Sequence, residues 1–486
     1  MNTGLRKKTV IALILLFCFA NIYAQAPSVN ASENIEKQDS QLSRNAWLNA
    51  LWQGVMINAI VHGFGRCVAR YDFSQVSYRD IGNNFRRGFV WDNDEFLMNQ
   101  LAHPYHGGLY FAAARAQGLN FWQSIPFTVF GSWQWEFLCE NNYPALNDFI
   151  TTSFAGLAFG EVMHRLSALV VDESKRGGAR LRREILAGII SPMDGFNRLI
   201  TGRAWRHCND GRTARRHEET FRIDFSVYNR FVTDLDNNSD DDNNIVLGIT
   251  AVYGCPFEYR ERFRPYDFFT FDLNFNVIGN EPFVPEATVT GALWGRRRGN
   301  DTNAFFSGIF QHFSYYDQNS FRFTAPASVG WGILYRRQNE NSPNFFTGGF
   351  HANAVFFSAS GTEYYNVYQR NYNFGSGYSL KLSALMNFSN KFIFTNLRHY
   401  NAFTLIRAEN RAFYGQNQND YNVKGIESNA MLNILSAGLG YRLTDNLTLS
   451  LEQRFFLHRS RYRAAELASV SSNAMETRLR LTYSIF

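Results

Sequence analysis

The sequence predicts a mainly β protein with an α-helical N-terminal domain, followed by a C-terminal antiparallel transmembrane β-barrel of about 12 strands. The first observation is an alternation of apolar and polar residues that runs almost without pause through about the last 270 residues, as in Phe269 to Val277 and Leu479 to Ile485, although the terminal Phe486 is out of phase with it. Such a period of two places one set of side chains on each face of a sheet. The second observation is that aromatic residues make up 16% of the chain while the mean hydropathy is only −0.28. Alternating barrel strands give this combination, because their apolar residues are never consecutive.

The N-terminus is the third observation, because it has the organisation of an export signal. Arg6, Lys7 and Lys8 form a short basic region, and the apolar stretch from Thr9 to Phe19 is too short to span a bilayer comfortably. Small residues near Ala24 favour cleavage there, although Ile22 makes the site imperfect. We therefore predict a signal peptide at 1–24 and a flexible polar lead at 25–43, with a retained anchor helix as the alternative.

Residues 44–210 are predicted to form the helical domain. Trp47, Leu48, Leu51, Trp52 and Val55 recur at helical spacing. Prolines separate the segments that follow, and further helices are predicted near 93–117, 121–139, 146–170 and 179–190. The segment 149–171 is apolar, but it contains charged residues, so a buried helix is a better interpretation than a membrane span.

Residues 216–486 are predicted to form the barrel. Twelve segments alternate, an even number as bacterial single-chain barrels have, and they lie near 218–231, 244–255, 267–279, 283–296, 303–317, 320–337, 344–359, 375–389, 391–407, 426–443, 446–460 and 474–486. The acidic run from Asp236 to Asn244 lacks the glycine and the terminal glutamate of a known calcium loop, so we interpret it as a solvated loop.

Charge and cysteine content exclude several functional classes. The formal charge is +6, of which the three basic residues of the signal supply half, so the sequence does not predict nucleic-acid binding. The cysteines after the signal (Cys67, Cys139, Cys208 and Cys255) match no zinc or CxxC pattern. No cofactor is implied.

Polar groups on the apolar helices are the candidates for chemistry. Glu136 and Glu140 share one helix face at a spacing of four, and Glu161 and His164 share another at a spacing of three. A Glu-x-x-His pair with further carboxylates is half of a ferritin-like di-metal site, which makes Glu136, Glu140, Glu161 and His164 weak metal candidates. A histidine could also activate Ser132, Ser124 or water. The candidate catalytic residues are His103, His106, Ser132, Glu136, Glu140, Asp148, Glu161 and His164.

A purely structural role for the same groups is the preferred alternative. In this interpretation the charges form buried ion pairs that hold the helices in register. The residues assigned to such pairs are Arg115, Glu136, Glu140, Asp148, Glu161 and Arg165.

The block from Trp91 to Ser167 resembles the domain-of-unknown-function 3943 family, which is found in Gram-negative bacteria, notably Bacteroidota. The resemblance rests on Trp91, Asp92, Asp94, Asn99, His103, Pro104, Tyr105, Gly107, Tyr110, Ala114, Arg115, Gly118, Ser124, Gly131, Ser132, Trp135, Glu136, Glu140, Asn147, Asp148, Thr152, Gly160, Glu161 and Arg165. It implies an uncharacterised envelope protein and brings no activity, cofactor or substrate.

These observations predict a protein of the cell outer membrane. Its expected role is that of a pore, an envelope-integrity element or a lipid-handling barrel. The alternative is a membrane-embedded enzyme, hydrolase-like, that acts on lipid or cell-wall material through the His/Glu cluster. The expected partners are outer-membrane lipids and, during insertion, the barrel-assembly machinery.

Overall fold

The computed structural model describes residues 45–207, 220–236, 241–339, 342–364, 370–388, 391–407 and 423–485. The predicted signal peptide, the flexible lead and part of the acidic loop from Asp236 to Asn244 lie outside these residues. The described chain divides into two compact units. The barrel unit holds Asn93–Leu97 and the residues from Thr220 onward, and the helical unit holds the residues up to Asp92 and from Met98 to 207.

The described part of the helical unit contains seven α-helices. They are α1 (Ala46–Phe64), α2 (Tyr78–Arg87), α3 (His103–Ala116), α4 (Phe121–Leu138), α5 (Leu146–Val170), α6 (Gly177–Ile190) and α7 (Pro192–Ile200). The helix predicted near 93–117 begins only at His103, after a π-helical turn at Met98–Ala102. Helices α2 and α7 were not predicted, because they are short. No helix in the described residues combines the length and hydropathy needed to cross a membrane.

Helices α3 and α5 cross so closely that their backbones are in contact. A Cβ atom added to Gly156 of α5 would lie 2.6 Å from the carbonyl carbon of Gly107 of α3. One turn further along α5, a Cβ on Gly160 would lie 2.6 Å from the Cβ of Phe111. Side chains at these glycines would push the helices apart, so the glycines bring the polar groups of α3 and α5 close together.

Helix α4 begins at a capping box. Asn120 accepts a hydrogen bond from the backbone N–H of Gln123, and the Gln123 side chain accepts one from the backbone N–H of Asn120. These bonds satisfy amide groups that a helix start otherwise leaves unpaired. They fix where α4 starts, and hence where Ser132 and Glu136 project. Glu140 lies beyond Leu138, the last residue of α4, so it does not share a helix face with Glu136 as the sequence predicted.

The barrel unit forms a closed twelve-stranded antiparallel β-barrel, which confirms the predicted fold class and strand number. Each strand pairs with its sequence neighbours, and β1 closes on β12. The strands are β1 (Phe221–Asp234), β2 (Asp242–Tyr253), β3 (Phe269–Ile278), β4 (Glu286–Gly299), β5 (Asn303–Asp317), β6 (Arg322–Gln338), β7 (Phe345–Gly361), β8 (Tyr372–Phe388), β9 (Phe392–Ile406), β10 (Ser428–Arg442), β11 (Leu447–Tyr462) and β12 (Val470–Ile485). Each overlaps one of the twelve predicted segments.

The alternation along β10 separates the two faces of the wall as the sequence predicts. Leu435, Leu439 and Tyr441 are exposed on the outside, whereas Ser436 is buried and faces the lumen. Neighbouring strands continue the exposed apolar surface with Leu380, Leu382, Phe392, Phe394, Leu449, Leu451, Leu479 and Leu481. The barrel therefore has an apolar outer belt.

Candidate functional site

The helical unit contains a group of carboxyl side chains, Asp92, Glu136, Glu140 and Asp148, which we call the carboxylate cluster. Glu136 and Asp148 are buried, and Asp92 and Glu140 are half-buried. Glu136 projects from the middle of α4, and its Oε2 accepts a hydrogen bond of 2.8 Å from the backbone N–H of Ala145. Its Oε1 is buried and has no hydrogen-bond partner. Burial, together with the nearby carboxylate of Glu140, raises the pKa of Glu136 well above its usual range. The protonated form of Glu136 is thus favoured.

Asp148, in the first turn of α5, has the same kind of environment. Its Oδ1 accepts a hydrogen bond of 2.9 Å from the side chain of Asn147, and Asn147 also donates to Asp92 at 2.7 Å. Burial and the neighbouring Asp92 raise the pKa of Asp148 well above its usual range. Two buried carboxyl groups at close range cannot both ionise without a large cost.

His103 and His106 line the cluster from α3. Nδ1 of His103 lies 3.1 Å from the Thr152 hydroxyl, and Nε2 lies 4.0 Å from Oδ2 of Asp148. Nε2 of His106 lies 3.0 Å from the Tyr110 hydroxyl. Burial lowers the pKa of His103 to about 4, although Asp92 opposes the shift. Burial and His103 lower the pKa of His106 to about 3, so both rings are neutral at pH 7.

Glu161 has a different environment, because two arginines hold its carboxylate. Oε2 lies 2.7 Å from Nε of Arg115, and Oε1 lies 2.7 Å from Nε of Arg165. Burial by itself would raise the pKa of Glu161, but the charges of Arg115, Arg165 and His164 outweigh it and lower the pKa to about 2. Glu161 is therefore an ionised carboxylate on α5 that pairs with Arg115 of α3.

The structure distributes the predicted residues over separate sets of contacts. His103, His106, Glu136, Glu140 and Asp148 belong to the carboxylate cluster or line it. His164 instead pairs with Asp194 at 2.9 Å, and the Ser132 hydroxyl donates to the carbonyl of Phe149 at 3.4 Å. The described residues contain no group of three or more His, Cys, Asp or Glu side chains that could hold a metal ion.

The ion-pair interpretation needs correction for some of its residues. The contacts of Arg115, Glu161 and Arg165 have the predicted form. Glu136 instead bonds to a backbone amide, and Asp148 bonds to Asn147 beside Asp92 and His103. The Glu140 carboxylate accepts a hydrogen bond of 2.6 Å from the indole of Trp135. The physical reason is that Arg115 contacts α5 at Glu161 rather than α4 at Glu136.

The arrangement around His103 has a hydroxyl, an imidazole and a carboxyl group in sequence, the order used by hydrolases to activate a nucleophile. Sequence reasoning looked for a serine in this role, and Thr152 occupies the position instead. Thr152 and Asp148 are only 1% and 3% exposed. Their burial favours a structural hydrogen-bond network over a substrate site.

The barrel lumen contains a second set of charges, which sequence reasoning missed. Glu286 of β4 lies 2.8 Å from Nη1 of Arg454 on β11 and 3.1 Å from Nη2 of Arg478 on β12. Arg478 also pairs with Glu476 of β12. Glu476 lies 3.1 Å from the fully buried Arg230 of β1, which lies 3.5 Å from Glu281. We call these six residues the lumen network.

The lumen network connects opposite parts of the wall. Four strands (β12, β1, β2 and β3) lie between β11 and β4 on the shorter path around the barrel. Adjacent strands are about 4.8 Å apart, so the Arg454–Glu286 ion pair can form only through the interior. The alternation of Arg478 and Arg480 with leucines was the signal available in the sequence, but it did not reveal a partner on β4.

Aromatic side chains also meet inside the barrel. The ring of Tyr316 on β5 lies 5.9 Å from that of Tyr400 on β9. The ring of Phe321, in the connection between β5 and β6, lies 5.1 Å from that of Phe456 on β11. Lys381 of β8 donates a hydrogen bond of 3.2 Å to the Ser314 hydroxyl of β5. The described side chains of facing walls therefore touch at several points.

Comparison with known proteins confirms the resemblance drawn from residues 91–167. Residues 88–193 match the model of the family described as Domain of unknown function (DUF3943). This segment covers α3, α4 and α5, and with them His103, His106, Glu136, Asp148 and Glu161. A search of curated proteins finds no match to the chain.

Solved barrel structures are similar to the C-terminal half at low scores. The NanC porin is 10% identical with a TM-score of 0.26, over 53% of this chain and 98% of that one. The KdgM porin is 9% identical with a TM-score of 0.23, over 54% and 99%. The toluene transporter TodX of Pseudomonas putida is 6% identical with a TM-score of 0.22, over 55% and 88%. Likenesses at these scores carry no information about role.

Proposed function

We propose that the protein is an exported outer-membrane β-barrel of a Gram-negative bacterium, with a lumen filled by its own side chains. In this proposal it acts as an envelope-integrity element rather than as an open pore. The observation that carries the proposal is the bridge from Glu286 to Arg454 and Arg478 across the lumen. An open pore needs a continuous aqueous path, and these buried ion pairs and the aromatic contacts beside them obstruct one.

The outer-membrane location is supported by the exterior of the barrel. A closed barrel has no unpaired strand edge. Strands can lie in lipid only under this condition, because unpaired backbone groups are costly there. The exposed leucines and aromatic residues of the outer belt are suited to lipid contact. The predicted signal at 1–24 would direct the chain to the envelope.

Fractionation tests the location. The protein is expected in the outer-membrane fraction, and it should migrate faster on SDS gels before boiling, because closed barrels resist SDS until heated. Recovery as a soluble periplasmic protein would contradict the proposal.

A pair of substitutions on one strand tests the lipid face. Leu439→Arg should reduce assembly more than Leu439→Met, which keeps the volume and the apolar character, by about 2–4 kcal/mol if Leu439 lies near the middle of the membrane. The proportion of heat-modifiable protein measures the difference. Equal assembly of the two variants would mean that the outer belt does not face lipid.

Conductance tests the filled lumen. The purified protein in a planar bilayer is expected to give no steady conductance. A double variant, Arg454→Ala with Arg478→Ala, removes both arginines that bridge to Glu286 and should raise the frequency of channel openings. Steady single-channel steps from the unmodified protein would overturn the filled-lumen proposal and favour a pore.

The His103, Thr152 and Asp148 arrangement is the observation that supports an enzymatic alternative. A hydrolase of lipid or cell-wall material would lose its activity in both the His103→Ala and Thr152→Ala variants. Release of fatty acid or muropeptide by the unmodified protein, absent in both variants, would establish this alternative.

A further inference from the structure

Helix α1 has its apolar and polar faces reversed relative to a helix of a soluble protein. Its buried residues are Ala46, Ala50, Gln53, Gly54, Ile57 and Asn58. Gln53 donates a hydrogen bond of 2.9 Å to Asn197, and Asn58 donates one of 3.0 Å to the carbonyl of Gly131. The face of α1 that packs against the rest of the helical unit is thus largely small or polar.

The opposite face of α1 carries large apolar side chains. Leu48 is 64% exposed and Trp47 is 49% exposed. Burying one such side chain stabilises a protein by about 1.5–3 kcal/mol, and this face of α1 leaves the following five in contact with solvent: Trp47, Leu48, Leu51, Trp52 and Val55. A contiguous apolar surface of this kind marks an interaction site.

The chain that follows α1 adds exposed aromatic and basic residues. Phe64, Tyr71, Tyr78 and Phe85 are exposed, and Tyr78 is 95% exposed. Five exposed arginines accompany them, at positions 66, 70, 79, 86 and 87. The acidic residues between 64 and 87 are Asp72 and Asp80, and Asp80 is engaged in the capping box of α2 with Ser77. The segment from Phe64 to Arg87 is therefore basic and aromatic.

We propose that α1 and the segment from Phe64 to Arg87 form a docking surface for a lipid bilayer with anionic head groups. Tryptophan and tyrosine are enriched where protein meets the membrane interface, and arginines there attract anionic lipids. Apolar residues on one side of a helix, with basic residues beside them, are the composition of helices that lie in this interface. The buried polar side of α1 remains packed against the helical unit, so only its apolar side meets lipid.

The charge pattern favours lipid over a second protein as the occupant. Five arginines against two aspartates complement a surface of negative head groups, and Trp47 and Trp52 suit the boundary between head groups and acyl chains. The inference rests on the proposed function in one respect, because the bilayer within reach is the one that the barrel would span.

Site-specific labelling of the full chain tests the docking surface. An environment-sensitive fluorophore is attached at Leu48→Cys or Val55→Cys, in a chain whose native cysteines are replaced by serine. Ser174→Cys, an exposed polar position of the same unit, is the matched control. The protein is reconstituted in phosphatidylcholine vesicles with or without phosphatidylglycerol, and lipids with a nitroxide near the head group serve as quenchers.

The expected result is blue-shifted emission at positions 48 and 55, with loss of intensity in nitroxide lipid, and neither effect at 174. Changing Arg79, Arg86 and Arg87 together to glutamine should reduce the quenching most in vesicles that contain phosphatidylglycerol. Quenching of all three labels by aqueous iodide alone would overturn the inference. Blue-shifted emission without lipid quenching would also overturn it, because it would indicate a protein partner or a second copy.

The same vesicles separate this inference from the proposed function. Barrel insertion is read from the gel shift before boiling. If the barrel is inserted and the label at 48 remains in water, the docking surface alone is wrong. If the gel shift is missing, the proposed membrane barrel is wrong.

Discussion

Glu161 and Glu136 lie on neighbouring helices of the same unit and are both almost fully buried, yet their environments shift the pKa of the two carboxyl groups in opposite directions. Arg115 and Arg165 hold the Glu161 carboxylate in its ionised form. Burial and the neighbouring carboxylate of Glu140 raise the pKa of Glu136 and favour its protonated form, although the backbone amide of Ala145 opposes the shift. The barrel lumen follows the Glu161 pattern, because Glu286 lies between Arg454 and Arg478. Burial favours the protonated form of both Glu136 and Glu161, and the presence of arginine partners decides whether it prevails.

The largest effect is expected for Glu161→Gln. The substitution leaves Arg115 and Arg165 without their counter-charge, and breaking a buried ion pair of this kind costs about 3–5 kcal/mol. Thermal unfolding at pH 7, monitored by circular dichroism at the helical band, measures the loss of stability. Unchanged stability would mean that Glu161 is not held as the two ion pairs indicate.

Acid should reproduce this loss in the unmodified protein. The folded pKa of Glu161 is about 2, below the ordinary value of 4.5, so its contribution is present above pH 4.5 and is lost as the pH falls toward 2. A shift of this size corresponds to about 3 kcal/mol. The Glu161→Gln variant should lack this component of the acid dependence. An identical acid dependence in both proteins would contradict the assignment.

A smaller loss is expected for Glu286→Gln in the lumen. Arg454 and Arg478 lose their shared partner, but Glu476 remains beside Arg478, so we expect a cost of about 1–3 kcal/mol. This cost is measured as a decrease in the temperature at which the barrel loses its fast mobility on SDS gels. Glu427 is a matched control, since it also contacts two arginines, Arg407 and Arg463, but these are largely exposed. Glu427→Gln should change the temperature little; an equal effect of both variants would contradict a buried lumen network.

The smallest effect, with the opposite sign, is expected for Glu136→Gln. Glutamine resembles the protonated carboxyl, so it removes the cost of keeping a proton on Glu136 at neutral pH. We expect a gain of about 1 kcal/mol at pH 7, after the cost of burying an extra N–H donor. A destabilised variant would restore the ion-pair interpretation of Glu136.

The pH dependence of this gain has a definite sign. A carboxyl group with a raised folded pKa binds its proton more tightly in the folded state, so its contribution to stability falls as the pH rises above the unfolded value of about 4.5. The gain from Glu136→Gln should therefore vanish near pH 4 and grow toward neutral pH. Thermal unfolding of both proteins at several pH values checks this, and a gain that is constant with pH would contradict proton uptake by Glu136.

The candidate site was only partly predictable. The spacing of Glu161 and His164 correctly places that pair on one helix, and the block around them matches a known family. The spacing of Glu136 and Glu140 was misleading, because α4 ends at Leu138 and Glu140 follows it. Which arginine meets which carboxylate was not predictable, because Arg115 could face α4 or α5. The backbone contact at Gly107 and Gly156 sets how closely α3 approaches α5. At this distance between the two helices, Arg115 of α3 pairs with Glu161 of α5.

The period of two determined by itself that the C-terminal half forms strands, how many there are, and which side of β10 is apolar. These properties are local, since neighbouring residues of a strand point to opposite faces whatever the strand pairs with. The tertiary structure alone decided that Glu286 meets Arg454 and Arg478, because residues far apart in sequence become neighbours only when the barrel closes. It also decided that α1 directs its apolar side outward and its polar side inward, since helical spacing defines two faces but not which one is buried.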